Sequence, residues 1–161
     1  MPTLEDVYAK FGEASEAAQL LETELGTMLF LLQAIDNGII SGSSEGIEIE
    51  KDPTRAAEIA NKINRSTLGN LIKKIQGLSE SVDAIELLLG KALDERNRLQ
   101  HHFFRQHNFR RNSDEGRALM LRDLEAIHIV ILDAYKAVMK IGGIDLDTIS
   151  LPGLPTEHVP I

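Results

Sequence analysis

Between residues 4 and 35 an apolar side chain recurs every three or four positions, at Leu4, Val7, Phe11, Ala14, Ala18, Leu21, Leu25, Met28, Leu32 and Ile35. Only an α-helix brings that spacing onto one face, so the pattern predicts a single long helix with one apolar stripe. Thr3 and Asp6 fit a capping box at its start, and Asn37-Gly38 should end it. A helix of this length with one greasy face must bury that face against other helices.

The rest of the chain supplies them. Ser41-Gly-Ser-Ser-Glu-Gly46 reads as a flexible loop, and Ile47-Glu-Ile-Glu50 alternates like a strand too short and isolated to build a sheet. Asp52-Pro53 opens a short helix carrying Ala56, Ala57, Ile59, Ala60 and Ile63. Ser66 or Thr67 caps a third, with Leu68, Leu71, Ile72 and Ile75, which Gly77 ends. Ser79 opens a long helix whose stripe runs Val82, Ile85, Leu89, Ala92, Arg96, Leu99, Phe103. Asn112-Ser113 caps the last, with Met120, Leu124, Ile127, Ile131, Ala134, Val138 and Ile141 facing inward until Gly142-Gly143. The expected fold is all-α: an antiparallel helical bundle of three long helices plus one or two short ones. It spans residues 1–143 as one domain, followed by an extended C-terminal tail, 144–161, rich in proline. Glycine-containing loops interrupt the stripes, which favours a bundle core over a long parallel coiled coil.

At 161 residues and 43% hydrophobic composition, the chain can bury a core without staples, and without cysteine it has neither disulfides nor thiolate metal sites. Met1-Pro-Thr-Leu-Glu-Asp6 has no basic segment followed by an apolar one, and no apolar run approaches the ~18 residues that span a bilayer. The expectation is a soluble cytoplasmic protein with no membrane partner. A formal charge of −8 argues against coating nucleic acid non-specifically. Yet Arg96, Arg98, Arg105, Arg110 and Arg111, with His101, His102 and His107, occupy a stretch that holds no acidic residue. This island admits a phosphodiester locally, or else is a solvated helix end whose arginines favour the macrodipole.

Arg96 occupies a position that the stripe reserves for an apolar side chain. A guanidinium there needs a partner: a carboxylate such as Asp94 or another subunit's Glu95, water, or an anion in a cleft. Arginine grips phosphate in two-pronged fashion and histidine moves protons near neutral pH, so Arg96 and His101 together hold the minimum for metal-free RNA cleavage. At ~100° per residue Asn97 stacks one turn before His101 and can orient its ring, whereas Arg96 and His101 lie about 140° apart around the axis. Two copies across a two-fold axis would bring arginine and histidine into one groove. The bare spacing is weak, expected about 0.3 times by chance, and Arg122 with His128 match a looser version; asparagine after the arginine lowers the expectation to roughly 0.01.

The segment Ala92-Leu-Asp-Glu-Arg-Asn-Arg-Leu-Gln-His-His-Phe-Phe104, on a late helix of an all-α bundle, resembles the signature of the HEPN superfamily (higher eukaryotes and prokaryotes nucleotide-binding). Thr67-Leu-Gly-Asn-Leu-Ile72 resembles a segment that precedes this motif in some bacterial members. The resemblance covers residues 60–140 and implies a homodimer through the motif helix and a metal-independent endoribonuclease of toxin–antitoxin or phage-defence type, with a cognate antitoxin or other partner protein. Carried over by position, Arg96 and His101 are the catalytic pair and Asn97 the polar residue of the motif, while His102 permits the longer spacing. Arg98, His102, Arg105, Arg110 and Arg111 are the expected RNA contacts. Other members of the family are non-catalytic binding modules, which is the alternative reading. The scarcity of aromatic side chains for stacking bases favours it; Phe104 can stack, whereas Phe103 falls on the core stripe.

No metal or cofactor is expected. Glu125-Ala-Ile-His128 has the Glu-x-x-His spacing of di-iron bundles but no second copy, and the chain has no glycine-rich phosphate loop and no Gly-x-Ser-x-Gly elbow.

Overall fold

The computed structural model describes residues 1–43, 46–49, 53–78 and 80–148. In chain order these form α1 (Leu4–Asp36), β1 (Ile40–Ser43), β2 (Gly46–Ile49), α2 (Pro53–Asn64), α3 (Leu68–Ile75), α4 (Glu80–Asp83), α5 (Glu86–His101), α6 (Phe103–His107), a 3₁₀ segment (Asn108–Asn112) and α7 (Asp114–Ile141). Asp52, Ser79 and the tail from 149 onward, to which the sequence assigned two helix starts and an extended segment, lie outside the described residues.

The capping box at Thr3 is formed. Thr3 Oγ1 accepts from the Asp6 amide at 3.1 Å and the Asp6 carboxylate accepts from the Thr3 amide at 2.7 Å. That backbone N–H, with the Thr3 hydroxyl, stabilises the ionised carboxyl and holds it below the usual aspartate range. The buried side of α1 is Val7, Ala14, Ala17, Ala18, Leu21, Leu25, Gly26 and Leu29. Towards its C-terminus the predicted stripe and the buried face part company: Leu29 is buried, whereas Ile35 is 58% exposed. A straight helix turns every 3.6 residues, so a stripe extrapolated at 3.5 drifts off the core over several turns.

Among the described residues all seven helices contribute to one apolar core, from Val7 of α1 through Ile63, Leu68, Val82, Leu89 and Phe103 to Leu124 and Ile131 of α7. Cross-links fix the directions of the three long helices. Arg117 donates to the Pro2 carbonyl and Lys10 pairs with Glu125, so α1 and α7 run parallel. Glu22 pairs with Arg96 of α5 and Phe11 lies 5.9 Å from Phe103 at the start of α6, so the chain from α5 into α6 runs antiparallel to α1, and hence to α7, to which Arg98–Asp123 ties it. The long helices thus run up-down-up, within the expected all-α bundle class.

Two local expectations are corrected. The alternating residues after Gly46 do pair: β1 and β2 form an antiparallel hairpin, with Ile40 opposite Ile49 and Ser43 opposite Gly46. The missing partner strand was inside the stretch read as a loop, and a hairpin needs only a short connection to form. The helix predicted from Ser79 to Phe103 is instead three helices. The Asp83 carboxylate accepts from the Gly77 amide at 3.0 Å, and Ile85 N–H turns to the Val82 carbonyl at 3.0 Å, closing α4 after one turn. Val82, Leu89 and Phe103 still point inward across both breaks, so the periodicity carries no sign of them.

Among the described residues, no helix is long and apolar enough to cross a membrane.

Candidate functional site

Buried Leu89, Ala92 and Leu99 pin one face of α5 against the core, which decides where the motif side chains go. Arg96 is half-buried and turns towards α1, where its Nη2 lies 2.9 Å from Glu22 Oε1. Glu22 Oε1 is sealed from solvent and receives no well-aligned hydrogen bond, so the pair is held by charge at close range. The other arm of the guanidinium, Nη1, donates to Asn97 Oδ1 at 3.2 Å. Within the chain the partner of this misplaced cation is therefore a carboxylate of α1 and not the nearby Asp94.

His101 is the last residue of α5 and is exposed, its ring edge-on to exposed His102 at 6.2 Å. Among the described residues no hydrogen bond joins His101 to Arg96 or Asn97. The expectation that Asn97 orients the His101 ring is not met within the chain: Asn97 Oδ1 accepts from Arg96 instead. Arg96 and His101 diverge within one chain, as the helical angle requires.

Arg98 behaves differently from its expected role as an RNA contact. Nη1 and Nη2 each donate to Asp123 at 2.8 Å, Nε donates to Glu95 at 2.9 Å, and Nη1 also reaches Gln106 at 3.3 Å. This fork-to-fork pairing holds the guanidinium firmly charged and the Asp123 carboxyl below the usual range. Asp123 Oδ2 also accepts from His107 Nε2 at 2.7 Å, and His107 Nδ1 accepts from Arg110 at 3.0 Å. Since arginine only donates and carboxylate only accepts, the geometry places the ring hydrogen of His107 on Nε2. The His107 ring, 4% exposed, lies 4.6 Å from that of Phe103.

This network anchors a basic rim. His101, His102, Arg105, Arg110 and Arg111 are exposed around the end of α5, α6 and the 3₁₀ segment. Among the described residues, none of these three arginines has an ion pair. Arg117 clamps the rim from behind by donating to the Arg111 carbonyl at 2.9 Å and pairing with Asp114. Phe109, 77% exposed, and Phe104, 40% exposed, stand in the same region, Phe104 resting on Phe11 at 5.1 Å; Phe103 is core.

Sequence reasoning missed Glu22, Asp123, the structural use of His107, and Phe109. Arg96 on an apolar stripe signalled that a carboxylate was needed, but not which one. The Glu-x-x-His of α7 converges on Lys10, whose Nζ pairs with Glu125 and lies 3.1 Å from His128 Nδ1. Glu125 accordingly holds the Lys10 ammonium charged above the usual lysine value. Among the described residues no three metal-ligating side chains come together. No family model, curated protein sequence or solved structure matches the chain.

Proposed function

We propose that the protein is a HEPN-like, metal-independent endoribonuclease whose site is completed by two chains. The observation that carries this reading is the placement of the motif: Arg96 half-buried on α5 and His101 exposed at its end, beside a rim of arginines with no ion pair among the described residues. In the reaction, the ribose 2′-hydroxyl attacks the adjacent phosphorus while His101 of one chain takes its proton. The P–O5′ bond breaks and the leaving oxygen takes up a proton from solvent, so each site needs one histidine and the Arg96 of the other chain. Arg96 exchanges Glu22 for phosphate and stabilises the charge that develops there. Arg105, Arg110 and Arg111 hold flanking phosphates, and Phe104 and Phe109 offer faces to bases. Products carry a 2′,3′-cyclic phosphate or its opened form. A cytoplasmic toxin or phage-defence role with a cognate partner accords with this chemistry.

Incubation with mixed-sequence RNA oligonucleotides in EDTA tests the proposal. Wild type should cleave, and Arg96→Ala and His101→Ala should each reduce the rate by about a hundredfold or more. Absence of cleavage by wild type, or undiminished cleavage by both variants, overturns it.

One observation favours the alternative, a non-catalytic helical binding module: Arg96 already has a carboxylate partner within the chain. An inactive monomer without salt-sensitive RNA binding would select that reading.

A further inference from the structure

A cleft of about 560 Å³ opens between α1, α2 and α3, away from the basic rim. Its size suits a small molecule. Gly26 shapes it by allowing α2 close to α1: a Cβ at this position would lie 3.1 Å from Ile63 Cγ2. The wall is partly apolar, with Phe30, Ile63 and Leu71, and partly polar, with Glu22, Thr23 and Thr27 on α1 and Ser66 before α3.

The direction of the hydroxyl hydrogens decides what the cleft accepts. Thr23 donates to the Gln19 carbonyl at 2.9 Å, Thr27 to the Thr23 carbonyl at 3.0 Å, and Ser66 to the Lys62 carbonyl at 3.0 Å. Each hydroxyl hydrogen is engaged by backbone, so these oxygens can meet a ligand only as acceptors. The Glu22 carboxylate is likewise an acceptor; its Oε1 is sealed from solvent against Arg96 Nη2, so a ligand in the cleft meets the carboxylate through its other oxygen. Among the described residues no lysine, arginine or histidine lines it; the Lys74 ammonium donates to Ser66 Oγ at 2.7 Å. Among the described lining residues, only the Gln19 and Asn64 side-chain amides offer N–H groups.

We propose that this cleft is a binding site for a small aliphatic amine in its ammonium form, its N–H donors meeting Glu22 and the Thr23 and Thr27 oxygens and its carbon stem lying on Phe30, Ile63 and Leu71. The site does not depend on RNA cleavage. Glu22 is shared between the cleft and Arg96, so an ammonium there takes part of the carboxylate's charge without displacing the guanidinium.

Titration calorimetry with 1,4-diaminobutane tests the site, with 1,4-butanediol and succinate as neutral and anionic molecules of similar length. The diamine should bind saturably with Kd of about 1 mM or tighter, and neither comparison molecule should bind. Thr27→Val removes an acceptor and Ala60→Phe fills the cleft; neither changes net charge, so general attraction to an acidic protein is preserved. Each should weaken diamine binding at least tenfold while the helical circular dichroism of wild type persists. The two substitutions lie on different helices, so misfolding of one leaves the other to decide. Absence of saturation with wild type, equal binding of succinate, or undiminished affinity in a folded variant overturns the proposal.

Discussion

Gly116→Ala is expected to destabilise the protein by about 3 kcal/mol, the opposite of the usual gain of about 1 kcal/mol from replacing glycine inside a helix. Gly116 lies in the first turn of α7, where its amide donates to the capping hydroxyl of Ser113 at 3.1 Å. A Cβ there would lie 2.7 Å from both Cα and carbonyl carbon of Arg110, and closer still to its oxygen. These are backbone atoms, so no side chain can swing aside. Either α7 loses its first turn or the 3₁₀ segment detaches and carries Arg110 and Arg111 with it. Thermal unfolding should show Tm lowered by about 10 °C. A variant as stable as wild type would show that the two segments do not pack this closely.

Asp123→Ala should cost about 2 to 3 kcal/mol, because it leaves the Arg98 guanidinium and the buried His107 ring without their shared acceptor. The penalty follows from the unpaired groups left behind more than from any strength of the pair itself. It should depend on pH in a definite sense. Arg98, then His107, lower the carboxyl's folded-state value below its ordinary 3.8, so the stabilisation is fully present above the unfolded value. It is lost as pH falls through the lower folded-state value. Denaturant titrations of wild type and Asp123→Ala should therefore differ by a constant amount from neutral pH down to about 4 and converge below it. A gap that persists unchanged well below that range, or no gap at neutral pH, contradicts the assignment.

The contrast between Arg96 and Arg98 shows what a one-dimensional reading can resolve. Arg96 interrupts an apolar stripe, so its need for a partner is visible from the residue pattern alone. Arg98 breaks no pattern and reads as a surface cation, yet it makes the more extensive pairing, with Asp123, Glu95 and Gln106. Its long side chain reaches a neighbouring helix whose position depends on the packing of the whole bundle. Glu22 was hidden for the same reason: it flanks the buried Leu21 and Leu25 on α1 and meets Arg96 only because α1 and α5 run antiparallel. The α7 stripe, by contrast, was legible in full from Met120 to Val138, since a long helix needs only its own period to declare its buried face. The breaks around Ala84 and His102 left that period intact and so left no mark on it.

The same bundle geometry sends Arg96 towards α1 and leaves His101 at the exposed end of α5, so the proposed reaction requires the arginine of one chain and the histidine of another. Mixing inactive Arg96→Ala with inactive His101→Ala tests this directly. If the site is composite, each mixed dimer holds one intact pairing, and an equimolar mixture should recover about a quarter of the wild-type cleavage rate in EDTA. A mixture no more active than its two components would contradict the account.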